Sequence, residues 1–216
     1  GVLWVPRDIV PPQDPEHSVQ VAELVVSITR ALVGRTLVLT TTLRALRQIG
    51  EQLQNAFADD DRIEVLVQGE GSKRELMQRF QLGGAGDAAQ RGEKGYVLVA
   101  SASFWEGFDV PPPNDPLVEA RSQSLQAKGR QPFTHYFIPE AAVSLKQGAG
   151  RLIRRETDKG VLVVCDSRLL TTGYGKKLMA SLPDMARVSD RVLLLEALQR
   201  LRQQGQVSAD SPELPP

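Results

Sequence analysis

Apolar residues in this chain recur in two rhythms, and each change of rhythm marks a new element. After a Pro-rich lead over residues 1–13, the stretch "DPEHSVQVAELVVSITRALVG" sets Val21, Leu24, Val25, Ile28 and Leu32 three or four positions apart. That is the repeat of a helix with one apolar face. Asp14 stands where a cap is needed, Pro15 takes the first helical position, and Gly34 closes the helix. The next stretch, "RTLVLTTTLRALRQIGEQLQNAF", opens on a short continuous apolar run, Leu37 to Leu39. It then returns to helical spacing with Leu43, Leu46, Ile49 and Leu53. A strand followed by a helix is predicted.

The alternation repeats. "IEVLVQG" reads as a strand, and "GSKRELMQRF" as a helix opened by a capping box, with Ser72 and Glu75 each satisfying the other's backbone donor. "GYVLVASASFWEGFDV" supplies a third apolar strand and "GVLVVCDSR" a fourth, separated by a Pro-rich turn and two helical stretches. Apolar strands alternating with helices predict an α/β fold, a parallel sheet with helices on both faces. The glycine-rich segment over residues 82–95 precedes a strand instead of following one, so it reads as a flexible loop and not as a dinucleotide fingerprint. A last helix over "DRVLLLEALQRLR" leads to a tail, residues 205–216, whose lack of apolar content predicts disorder. One globular domain is therefore expected over residues 14–204.

Composition narrows the chemistry. Twenty-six basic residues balance twenty-six acidic ones, so any site for a polyanion must be a local cluster. Cys165 is the single cysteine, which leaves no internal disulfide and no cysteine-built zinc or iron–sulfur centre within the chain, and makes a reducing cytoplasm the expected location. No apolar run approaches the roughly 20 residues of a membrane span, and the start has no signal-peptide pattern. No membrane partner is expected. Gly1 in place of Met suggests an excised domain or a fragment.

In an open parallel sheet, ligands bind beyond the carboxyl ends of the strands. The residues there are Thr40, Thr41 and Thr42, then Gln68 and Gly69, then Ser101 to Gly107, and finally Asp166 to Arg168. Hydroxyls and amides at a helix start form an anion site, although the threonines serve equally well as a cap. In "SASFWEGFDVP", Phe104 and Trp105 adjoin Glu106, Gly107 and Asp109, either as core plugs or as part of a site. In "KQGAGRLIRRETDKG", Gly148 and Gly150 each cost about 1 kcal/mol relative to alanine in a helix interior, which points to close approach by another backbone or a ligand. Arg151 and Arg154 share a helix face. Their planar guanidinium forks suit the spread charge of a phosphoryl group, and the same spacing also fits a solvated basic face.

Together these segments resemble the second RecA-like lobe of superfamily 2 DNA helicases of the DinG type, related to the XPD helicases. "GRTLVLTTTLRAL" is similar to motif IV of that family, "SFWEGFDVP" to motif V and "QGAGRLIRRETDKG" to motif VI, and the likeness runs from about Trp4 to Pro183. The resemblance implies a lobe that works with an N-terminal RecA-like lobe of the same protein, with ATP and Mg²⁺ held mainly by that first lobe. It implies a catalytic role for Arg151 and Arg154 at the γ-phosphate, with Gln147 and Gly150 shaping a helix start that meets the nucleotide. Glu106, Gly107 and Asp109 would link nucleotide state to single-stranded DNA, lined by Thr40, Thr41, Thr42, Gln68, Ser103 and Trp105. The chain has no G-x-x-x-x-G-K-[ST] phosphate loop and no acidic Mg²⁺ box, so by itself it is expected to be inactive. Relatives also carry an apolar strand between motif V and "PPNDPLVEAR", whereas here "FDV" runs almost directly into "PPPNDP", which implies a sheet lacking one strand. A degenerate, non-catalytic nucleic-acid-binding or scaffold module is the competing expectation.

Overall fold

The computed structural model describes residues 1–82, 94–101, 104, 116–152 and 159–207. In chain order its elements are β1 (Val2–Trp4), α1 (His17–Leu32), β2 (Thr36–Thr40), α2 (Leu43–Ala56), β3 (Ile63–Val67), α3 (Lys73–Leu82) and β4 (Gly95–Ser101). There follow α4 (Pro116–Ala127), a π-helical turn (Phe133–Phe137) running into α5 (Ile138–Leu152), β5 (Val161–Val163), α6 (Arg168–Thr171), α7 (Gly175–Ser181), β6 (Ala186–Val188) and α8 (Arg191–Val207).

Every strand pairing among the described residues is parallel. The described strands form two three-stranded sheets, ordered β5-β1-β6 and β2-β4-β3. Side chains alternate faces along a strand, and here both faces are apolar and both are covered. Val38, Val97 and Val99 look towards α1, α2 and α8, while Leu37, Leu39, Leu98 and Ala100 look towards α3 and Phe104. In the other sheet Trp4, Val161 and Val163 join the first of those layers, and Leu3 and Leu162 pack against α5 and α7. Parallel strands buried on both faces give continuous apolar runs, which is why four of the six described strands were legible. The chain has the α/β RecA-like architecture, a parallel sheet with helices on both faces.

Several local expectations change. The lead over residues 1–13 contains β1, the central strand of its sheet, and buries Trp4, Val5 and Ile9. Asp14 accepts from the Glu16 amide at 2.9 Å, so it caps the turn before α1, and the helix itself begins at His17. Of the capping box, the structure shows the Glu75 amide donating to Ser72 Oγ at 3.2 Å. The last helix continues to Val207, past the expected start of the tail. Residues 83–93, most of the glycine-rich segment, residues 208–216 of the tail, and residues 110–113, where a strand was expected to be lost, lie outside the described residues.

Gly34 closes α1 for a steric reason. Val33, Gly34 and Arg35 all take left-handed φ values, 55°, 95° and 52°. A Cβ on Gly34 would fall 2.6 Å from Gly95 Cα, and a Cβ on Gly95 would fall 2.1 Å from Val33 O. Two backbones cross here with no space for a side chain, and the crossing fixes where β4 enters its sheet.

Candidate nucleotide and nucleic-acid interface

The carboxyl ends of β2, β4 and β3 lie side by side, with Thr40 in register with Ser101 and Val67 with Val99. Polar side chains tie these ends to one another. Buried Thr40 Oγ1 approaches Ala100 O at 3.5 Å and Thr42 O at 3.3 Å. Gln68 Oε1 accepts from the Ser101 amide at 2.7 Å and from Ser101 Oγ at 2.9 Å. Thr42 Oγ1 accepts from the Ala45 amide at 3.1 Å, the N-cap of α2. Thr40, Thr42 and Gln68 thus bond within the protein, and Thr41 is exposed beside them.

The amino end of α2, like any helix start, carries free amides and partial positive charge. Its first turn holds exposed Arg44 and no carboxylate. A cation opposes the dipole there, an arrangement that favours a phosphate more than it favours the helix. The sequence reading passed over Arg44, and its position in the first turn after a strand was the available signal. It also passed over Lys73, at the start of α3, whose ammonium lies 5.3 Å from the ring centroid of Phe104. Phe104 is itself buried among Leu66, Leu76, Leu98 and Ala100, so of the two expectations for this aromatic the core plug is what the structure shows.

Motif VI reaches the same edge from the other sheet. Gln147 and Gly150 stand well inside α5 and not at its start, contrary to expectation, because Ile138 already opens the helix. Ala149 is buried against the β5-β1-β6 sheet with Leu3 and Leu145. A Cβ on Gly148 would meet Leu39 Cδ1, near the carboxyl end of β2, at 3.8 Å, and one on Gly150 would meet no described atom within 4 Å. Packing within the described residues therefore requires neither glycine. Gln147 is exposed, and Arg151 occupies the last turn of α5. Arg154, Ser103, Trp105, Glu106, Gly107 and Asp109 lie outside the described residues.

At the end of β5, Asp166 turns back on its neighbour. Its carboxylate accepts from Arg168 Nε at 2.9 Å, from the second guanidinium nitrogen at 2.7 Å and from the Arg168 amide at 3.0 Å. The carboxylate beside it raises the Arg168 guanidinium above its ordinary value. This pair holds the β5 exit. Next to it, burial pushes the Cys165 thiol up to about 12, so it stays protonated at neutral pH and is no nucleophile. Among the described residues no helix is long and apolar enough to cross a membrane.

Comparisons with known proteins place the chain in a family. Residues 25–185 match the family described as "Helicase C-terminal domain". The chain is 37% identical over 205 residues to the ATP-dependent DNA helicase YoaA of Escherichia coli, a match covering 88% of this chain and 30% of that protein. It is 34% identical to the YoaA of Haemophilus influenzae, over 92% of this chain and 31% of the relative, and 34% identical to the ATP-dependent helicase DinG of Mycobacterium tuberculosis H37Rv, over 93% and 31%. The chain thus spans under a third of the length of these curated relatives. With motifs IV and VI meeting at one sheet edge and a family match over most of its length, the chain belongs to the helicase C-terminal domain family, as the second RecA-like lobe of a DinG-type helicase.

Proposed function

We propose that the chain is the nucleotide-sensing and strand-gripping lobe of an ATP-dependent DNA helicase, completed by an N-terminal RecA-like lobe of the same protein. The observation that supports this reading is the approach of Gly148 in α5 to Leu39 in β2, which sets the start of motif VI beside the edge where β2 ends. The fit to a nucleotide is that of half a site. The chain has no phosphate loop to cradle the phosphates, but a Cβ at Gly150 would meet no described atom outside the local helix backbone within 4 Å.

In the assembled protein, Arg151 and Arg154 reach across to the γ-phosphate of MgATP held by the first lobe. ATP hydrolysis supplies the free energy for closing and reopening the lobes. Fixed guanidinium groups stabilise the charge that develops on the transferring phosphoryl without reorganising at the moment of reaction. Gln147 and Gly150 shape the surface through which the arginines approach. Thr41, the free amides of α2 and Arg44 hold phosphates of single-stranded DNA, with Ser103 and Trp105 on the same track. Glu106, Gly107 and Asp109 couple that track to the nucleotide. The chain by itself hydrolyses no ATP, and the whole protein works on cytoplasmic DNA.

The test uses the chain joined to its natural first lobe. Arg151→Ala and Arg154→Ala should each lower DNA-stimulated ATP hydrolysis, the finger residue by about 10³-fold or more, with DNA affinity nearly unchanged. Hydrolysis near the parent rate in both variants would sink the assignment. DNA binding by a parent protein that shows no stimulated hydrolysis would favour a degenerate binding module instead.

A further inference from the structure

The connection from β3 to α3 grips the chain at two points on its way into motif V. The first is Gln68. In the parallel ladder the Gln68 amide donates to Val99 O at 2.9 Å, and the next rung would run from the Ser101 amide to the Gln68 main-chain carbonyl. That rung is made by the side chain instead, with Gln68 Oε1 taking both the Ser101 amide and the Ser101 hydroxyl. Gly69 follows with φ 102°, a left-handed turn that carries the main chain away from β4 just after Gln68. The second point is Lys73, whose ammonium sits over Phe104, three residues after Ser101 and within motif V.

We infer that Gln68 is a positioning residue: by replacing the last ladder rung with two side-chain hydrogen bonds to Ser101, it fixes the end of β4 from which motif V is held. Lys73 provides the second hold through Phe104. Gln68 then acts on nucleic acid and nucleotide through Ser101, and not by touching phosphate as its place after a strand suggests. Its useful atom is the amide oxygen, an acceptor. Glutamate keeps that acceptor and adds a negative charge, whereas leucine keeps the bulk and removes it. The two roles therefore predict opposite orders for the two variants. A phosphate contact would be lost in Gln68→Leu and turned into repulsion in Gln68→Glu. A positioning role would be lost in Gln68→Leu and kept in Gln68→Glu.

The inference rests on the motor-lobe reading for its kinetic consequence, so the experiment has two arms. On this chain, hydrogen exchange at the Ser101 amide should be protected in the parent and in Gln68→Glu and lose protection in Gln68→Leu. On the protein carrying its first lobe, Gln68→Leu should lower the DNA-stimulated kcat by about 10-fold or more, the scale expected when catalytic groups are misplaced, with half-saturating DNA concentration little changed and Gln68→Glu near the parent. Should Gln68→Leu not fold, Gln68→Asn withdraws the oxygen by one methylene and is expected to behave the same way. Unchanged Ser101 protection in the leucine or asparagine variant overturns the inference, as does weaker DNA binding in Gln68→Glu than in Gln68→Leu. A parent protein without DNA-stimulated hydrolysis sinks the motor reading, and the exchange arm still decides the role of Gln68.

Discussion

Gly34 and Gly150 are the same residue type with opposite reasons to be there, and a single methyl group separates them. Gly34 has a left-handed φ of 95° and the backbone of Gly95 within 2.6 Å of where a Cβ would stand. Gly34→Ala should destabilise the chain by more than about 1 kcal/mol, since both the dihedral and the space are wrong for a side chain. Gly150 has helical neighbours and no described atom within 4 Å of its would-be Cβ. Gly150→Ala should therefore stabilise the isolated chain by about 0.5–1 kcal/mol, the helix propensity difference. In the two-lobe protein the same methyl should lower stimulated hydrolysis, if the helix surface is kept bare for the nucleotide. Denaturant midpoints of both variants, with hydrolysis rates for Gly150→Ala, check this. A Gly150→Ala protein that is more stable and fully active would mean that the glycine serves no approach at all.

At the scale of the element, what the sequence made legible depended on how much of each element's pattern was local. Strands β2, β3 and β4 announced themselves as apolar runs because both their faces are buried, and α1 and α2 did so through their helical spacing. β1 and β6 have three residues each, "VLW" and "ARV", too short for any period, and only parallel pairing on β1's two sides defines them. Gln68 was rightly picked out as a polar residue at a strand end, but its bond to Ser101 depends on register between β3 and β4, which no local pattern carries. Helix α8 is a further case, because its cap is spelled in sequence. The Leu193 amide donates to Asp190 Oδ1 at 3.0 Å, and Ser189 Oγ donates to the other carboxylate oxygen at 3.0 Å. These bonds, the Leu193 amide foremost, hold the Asp190 carboxyl below its ordinary value. A carboxyl depressed in the folded state adds stability that is fully present above its unfolded value and is lost as pH falls through the folded one. Asp190→Ala should thus melt a few degrees below the parent at neutral pH, and the gap should close in acid below the ordinary aspartate range. Melting curves from pH 7 down to pH 3 test the sign, and a gap that widens in acid would show that the cap does not act through its charge.

For the whole molecule, the two separate sheets pose the question of whether they behave as one body. They share one layer of core: Trp4, Val161 and Val163 from one sheet and Val38, Val97 and Val99 from the other pack in a common cluster with α1, α2 and α8. Leu53 of α2, fully buried, and Leu194 and Leu198 of α8 belong to that same cluster. A continuous apolar layer of this kind couples whatever it touches, because opening either sheet exposes the layer to water. The halves should therefore unfold together although no strand pairing joins them among the described residues. Trp4 reports on the β5-β1-β6 sheet, and Trp105→Phe leaves it as the only indole in the chain. Leu53→Ala, on the helix that packs mainly against the other sheet, should cost about 2–5 kcal/mol. In the Trp105→Phe background that loss should move the Trp4 fluorescence transition and the far-ultraviolet circular dichroism transition by the same amount. If the Trp4 midpoint stays fixed while the dichroism midpoint falls, the sheets are independent units. Motif VI, anchored on one sheet through Ala149, would then have no rigid reference to motif IV on the other, and the convergence of Gly148 on Leu39 could not transmit a nucleotide-driven movement to the DNA-gripping edge.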